Sequence, residues 1–90
     1  MEEKFLFALE ANRQKAAALG VRIRPITDMK QAHQCLSGHR ESDGFTQLAS
    51  KGMLELSLEA LAGKKQFTSL FSDEEANNAL MRLLGAGYKF

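Results

Sequence analysis

The sequence predicts a mostly α fold: a small single-domain helical bundle over residues 1–90, with four to six short helices and one short extended segment at residues 21–26. Three observations lead there. Leu, Ala, Glu, Lys and Gln are plentiful, while Pro occurs once and Trp not at all, a balance that favours helix. Apolar residues recur at helical spacing in several stretches. Glycines follow those stretches, where they can take the left-handed conformation that closes a helix. With 90 residues, 44% apolar and 26% charged, the chain has the size of one domain and an ordinary globular composition.

The first helix is predicted from Glu2 to Leu19. Phe5, Ala8, Leu9, Ala16 and Leu19 fall near one face, interrupted by Asn12. Glu2 and Glu3 near its start and Lys15 nearer its end complement the helix dipole, and Gly20 stops it. In "VRIRPI", Val21, Ile23 and the ring of Pro25 alternate with Arg22 and Arg24, which is the period of an extended chain. Pro25 has no N–H, so this is an edge strand or an extended crossover. The C-terminal "GYKF" is its candidate partner.

A second helix starts at Asp28 with Thr27 as its cap, places Met29, Ala32, Cys35 and Leu36 on one face, and ends at Gly38. "SGHRESDG", residues 37–44, is the most polar stretch and reads as a loop. Short helical pieces follow: Phe45 to Lys51, closed by Gly52; Ser57 to Ala62, capped by Ser57 and closed by Gly63; and Lys64 to Phe71. The clearest helix is the last. Ser72 followed by Asp73, Glu74 and Glu75 forms a capping box. Ala76, Leu80, Leu83 and Leu84 are its expected buried stripe, and Gly85 and Gly87 end it. "FTQLAS" (45–50) and "FTSLFS" (67–72) share F-T-x-L-x-S, which would set Phe and Leu on a helical face in both. Nothing outside those six residues repeats, so the echo reads as coincidence rather than duplication.

The net charge is +1, so no global field marks a nucleic-acid or membrane partner. Residues 1–40 carry seven Lys/Arg against four acids, net +3, and residues 41–90 five against seven, net −2. Cys35 is the single cysteine; no internal disulfide can form, which fits a reducing, cytoplasmic setting. The acidic N-terminus argues against a secretion signal. No run approaches the roughly 20 apolar residues of a membrane span.

Candidate chemistry is sparse. Cys35 and His39 are four apart, as a thiolate and its base or two metal ligands would be on a helix. Gly38 breaks the helix between them, and His33 lies about 200° from Cys35 around the axis. The acids of "SDEE" are explained by capping. No phosphate loop, H-E-x-x-H or G-x-S-x-G occurs. No enzyme activity, cofactor or metal is therefore expected.

"FTQLASKGMLELSLEAL" resembles the rhythm of a helix-turn-helix over seventeen residues. The resemblance implies a DNA-binding regulator as the alternative function, although the Ala49–Gly52 interval is three where four is usual, and its second helix carries Glu55 and Glu59 with no Lys or Arg. A groove-reading helix needs donors for phosphate and guanine. The last helix offers Asn77, Asn78 and Arg82 as DNA contacts, but three acids lead its N-terminal end.

The first expectation is therefore a non-enzymatic protein-binding module, an adaptor, regulator or inhibitor of a larger partner. Its candidate contact residues are Arg13, Lys15, Arg22, Arg24 and Lys30, with His39 and Arg40 from the polar loop. Arginine is over-represented at binding anchors. A monomer or weak homodimer is expected.

Overall fold

A computed structural model describes residues 2–38 and 41–88. The described residues fold into five α-helices: α1 (Glu2–Ala18), α2 (Met29–Ser37), α3 (Phe45–Ser50), α4 (Leu58–Ala62) and α5 (Asp73–Gly85). Two 3₁₀ turns, Leu54–Leu56 and Thr68–Leu70, join them. No strand is present among the described residues. The mostly α bundle read from the sequence is the architecture found. Among the described residues no helix is long and apolar enough to cross a membrane.

α4 is the axle. All five of its residues are buried, so a helix of little more than one turn is covered on every side. α5 packs on α4 and α2, while α1 lies across α4 and the Leu54–Leu56 turn. Two apolar clusters result. One joins Phe5 and Leu9 of α1 to Met29, Ala32 and Leu36 of α2, with Leu58, Leu61, Phe67, Phe71 and Ala79. Within it Phe5 meets the rings of Phe67 and Phe71 edge-on, with centroids 5.2 and 5.1 Å apart. The other gathers Ala16, Val21, Phe45, Leu48, Leu54, Leu56, Ala60 and Leu83.

The second cluster is built from helix endings. After α1, the Gly20 N–H donates to the Ala17 carbonyl and the Val21 N–H to the Ala16 carbonyl, with Gly20 at φ +86°. That is a Schellman motif, whose residue after the glycine packs back onto the last turn. The pattern recurs at Gly52–Met53 after α3 and at Gly87–Tyr88 after α5. Ala16, Leu48 and Leu83, whose carbonyls accept these bonds, and Val21, Met53 and Tyr88, which donate them, all join the same cluster. Glycine stops in the sequence thus mark where the chain turns into its core.

Several local expectations change. The residues 21–26 run extended but pair with no strand; Val21 is buried, Ile23 and Ile26 are half-buried, and Arg22, Arg24 and Pro25 are exposed. Of the proposed partner "GYKF", Tyr88 packs on the second cluster, and residues 89–90 lie outside the described ones. Asp28, not Thr27, caps α2: its carboxylate accepts from the Gln31 N–H, while the Gln31 side chain accepts from the Thr27 N–H. The piece expected at 64–71 is only a 3₁₀ turn, so the two F-T-x-L-x-S copies fold differently.

On α5 the buried positions are Glu75, Ala79 and Leu83. Leu80 and Leu84, assigned to the core by their apolar character, are 41% and 52% exposed. The helix is rotated because Arg82 and Asn78 are drawn inward, as described below.

The capping box of α5 is present: Ser72 Oγ accepts from the Glu75 N–H, and the Glu75 carboxylate accepts from the Ser72 N–H. Ser72→Ala should lower stability by ~1 kcal/mol in a urea melt; an unchanged midpoint would remove the cap from the account. Glu75 also holds His33 of α2, whose Nδ1 lies 2.9 Å from Oε2. An ionised carboxylate only accepts, so Nδ1 carries the shared hydrogen. Burial pushes the Glu75 carboxyl up, but the Ser72 N–H and His33 together outweigh it and the net is a lowered pKa. A lowered carboxyl supplies stability above its unfolded value and loses it as pH falls through the folded one. The stability gap between the parent and Glu75→Gln should therefore narrow on acidification below the ordinary value of 4.5. A gap that stays constant would exclude the charge as its source.

Candidate functional site

The first link in the site is a buried carboxylate. Glu59 on α4 is 0% exposed. Its Oε2 accepts the Ser42 N–H at 2.8 Å and its Oε1 the Ser42 hydroxyl at 2.5 Å. Arg82 of α5 donates to Oε2 at 3.1 Å. The same guanidinium donates to the carbonyls of Cys35 (3.2 Å) and Gly38 (2.7 Å), and the Asn78 amide donates to Leu36 at 2.9 Å. These carbonyls are the open end of α2, which has no basic residue of its own in the last turn. A helix C-terminus attracts a cation, and here α5 supplies it. Glu59 and Arg82 thereby pin the segment leading into α3 and the end of α2 to the α4–α5 core.

This network corrects the assignment of Asn78 and Arg82 to an exposed DNA-reading face. Both are turned into the protein to satisfy backbone carbonyls, and only Asn77 of the three is exposed. The helix-turn-helix rhythm is also altered. Residues 45–61 form α3, a glycine turn, a 3₁₀ turn and the buried α4. The second helix of that pattern is thus enclosed rather than offered to a groove.

Beside the network lies a cleft of about 340 Å³. Leu9, Glu10 and Arg13 of α1 form one wall, Ile23, Arg24 and Ile26 of the extended segment another, and Cys35, Ser42, Asp43, Leu56 and Leu58 are among the residues that complete it. Its interior is apolar and its rim charged. Arg13 is held by Glu10 through Nε at 2.8 Å and Nη2 at 2.5 Å. Hydrogen bonds from Arg13 and then Gln14 hold the Glu10 carboxyl down at about 2. The Arg24 N–H donates to the Asp43 carboxylate at 2.8 Å, which ties the extended segment to the loop before α3. The volume is at the low end of the roughly 300–1,000 Å³ of ligand pockets.

The sequence-assigned contact residues divide around this cleft. Arg13 and Arg24 line it, and Arg22 is exposed two residues from Arg24. Lys15 lies about 200° from Arg13 around α1, and Lys30 is exposed at the start of α2. His39 and Arg40 fall outside the described residues, as does half of the Cys35–His39 pair. Among the described residues no three His, Cys, Asp or Glu come together as a metal site would need. Sequence reasoning missed Glu59 as a buried hub and missed the cleft itself. A Ser42–Asp43 pair next to a glycine gave no signal of either.

Cys35 is half-buried at the cleft wall rather than sealed in the core. Burial, then the negative charge of Glu59, push its thiol up, against a smaller opposing effect of Arg82. Because the thiolate is the reactive form, iodoacetamide should alkylate the native protein at least about tenfold more slowly than the urea-unfolded chain. Equal rates would place the thiol in open water. No known protein family, curated protein or solved structure matches this chain.

Proposed function

We propose that the protein is a protein-binding module whose cleft takes an apolar anchor side chain from its partner, with acidic residues of the partner meeting Arg24 and Arg22. The observation that carries this reading is the cleft: a concave, mainly apolar recess where α1, the extended segment and the loop before α3 converge, its charged lining made of Arg13 and Arg24 together with Glu10, Glu41 and Asp43. Anchors of this kind contribute most of the energy of small interfaces, and they do so in desolvated pockets. Arg24 suits a carboxylate because its planar fork can bind both oxygens.

The test is fluorescence anisotropy with a labelled ten-residue peptide carrying one Phe between pairs of acids. Saturable binding, weakened at least about tenfold by Arg24→Glu, supports the reading; a tenfold loss is about 1.4 kcal/mol. Absence of binding, or binding indifferent to Arg24→Glu, rejects it. Duplex DNA is the control for the alternative function. Three to five cation contacts would give a log–log salt slope of only about −3 to −5, and weak, sequence-indifferent binding is expected at about 0.15 M salt. Sub-micromolar, sequence-selective binding would put a DNA-binding regulator first.

A further inference from the structure

We infer that the partner docks as an added strand: an extended segment of another protein lies along residues 21–26, hydrogen-bonds to their backbone, and turns one apolar side chain into the cleft between two acids that meet Arg22 and Arg24. The inference rests on the cleft reading above and names how the partner is held.

The alternation in residues 21–26 is that of an edge strand, yet the structure gives them no strand to pair with. Among the described residues, the backbone from Arg22 to Ile26 makes one hydrogen bond, from the Arg24 N–H to Asp43. No carbonyl from Val21 to Ile26 accepts one. In a strand, the N–H and C=O of one residue point to one edge and those of the next residue to the other. The edge that Arg24 turns to Asp43 is therefore partly used. The opposite edge carries the Ile23 N–H and C=O and the carbonyls of Val21 and Pro25, all without a partner. Such an edge is a template for a further strand. Main-chain bonds then supply affinity, and pockets for alternate side chains supply specificity. Pro25, with no N–H to donate, belongs on an edge of this kind.

The template is held in place before any partner arrives. The Val21 N–H donates to Ala16 at 2.9 Å and the Thr27 N–H to the Gln31 side chain at 2.8 Å. Ile23 lies so close over Gly44 that an added Cβ there would stand 2.7 Å from its Cγ1. A segment ordered in advance loses less freedom on binding.

Alternation also sorts the charges. Arg22 and Arg24 are exposed on the face opposite Val21 and Ile23, and neither forms an ion pair among the described residues. Within the cleft, Glu10 and Arg13 neutralise each other, which leaves Glu41 and Asp43 as its negative groups. An acid entering the cleft would meet those carboxylates, so the entering side chain is apolar. Acids belong one residue to either side, opposite the arginines, where cross-strand pairs of opposite charge are favourable. A second copy of this chain does not meet that pattern. Pairing residues 21–26 with themselves, in either direction, sets arginine against arginine, which is unfavourable.

The test is fluorescence anisotropy of the full chain with a labelled ten-residue peptide centred on Asp-Phe-Asp, followed by the same peptide N-methylated at one central residue at a time. Methylation removes a single N–H and leaves every side chain in place. Binding should fall at least about tenfold at alternate residues, where a carbonyl of the segment loses its donor, and stay within about twofold at those between. Sensitivity at the Phe marks an antiparallel partner, and sensitivity at the two Asp a parallel one; each supports the inference. The Ile23 amide, followed by hydrogen exchange, should slow at least about tenfold in the saturated complex. A Lys-Phe-Lys peptide should bind at least about tenfold more weakly than Asp-Phe-Asp. Binding indifferent to methylation, equal losses at neighbouring residues, an Ile23 amide left unprotected, or Lys-Phe-Lys binding as well as Asp-Phe-Asp would each overturn the inference. If the peptide binds and Arg24→Glu weakens it while methylation has no effect, the added strand falls and the cleft reading stands. If no peptide binds, both fall.

Discussion

Glu59→Ala should destabilise the protein by about 3–5 kcal/mol, the range for removing one partner of a buried ion pair. That is a large share of the ~5–15 kcal/mol typical of a domain. Three groups lose their acceptor at once: the Arg82 guanidinium, the Ser42 hydroxyl and the Ser42 N–H. Arg82 has only 10% of its side chain exposed, so bulk water replaces the carboxylate incompletely. A urea melt followed by circular dichroism reads the loss. Glu59→Gln should cost less, because its amide oxygen still accepts from Ser42. A Glu59→Leu/Arg82→Met pair should cost less than the sum of its single changes, since both charges leave together. The carbonyls at the end of α2 would still lose their cation, so parity with the parent is not expected. A Glu59→Ala midpoint equal to the parent's would mean the network carries no net stability.

Gly44→Ala should cost about 2–5 kcal/mol. Gly44 sits at φ +80°, where an L side chain loses about 1–2 kcal/mol. An added Cβ would also stand 2.7 Å from Ile23 Cγ1 and 3.0 Å from Val21 Cγ1. Both neighbours are β-branched and stiff at χ1, and Val21 is buried in the second cluster, so they yield only with about 1–3 kcal/mol of overpacking strain. Gly52→Ala separates the two effects. Gly52 has φ +70° with nothing within 4 Å of an added Cβ, so it should lose only the backbone part. If the two variants melt alike, the close approach of Gly44 to Ile23 is not a constraint. Because Ile23 also lines the cleft, Gly44→Ala should weaken peptide binding, and Gly52→Ala should not.

The sequence alone determined the helical class, the glycine endings and the Ser57 and Ser72 caps, though it set the cap of α2 one residue early. These are local properties: "SDEE" places donors and acceptors within one turn of each other, and Gly20 and Gly87 allow a positive φ that needs no distant partner. It also marked Val21 and Ile23 against Arg22 and Arg24 by alternation, and exposure follows that pattern. The tertiary structure alone decided which way α5 is turned. By hydrophobicity Leu80 and Leu84 belong inside and Arg82 outside. Yet the open carbonyls of α2, forty-odd residues away in sequence, and the charge of Glu59 draw Arg82 and Asn78 inward and leave the leucines exposed. Leaving buried backbone and a buried carboxylate unsatisfied costs more than exposing part of two side chains, and no window of adjacent residues contains both sides of that comparison. The cleft has the same origin. Its walls come from α1, the extended segment, α2, the loop before α3 and the turn into α4, brought together only when Glu59 and Asp43 fix the loop across them.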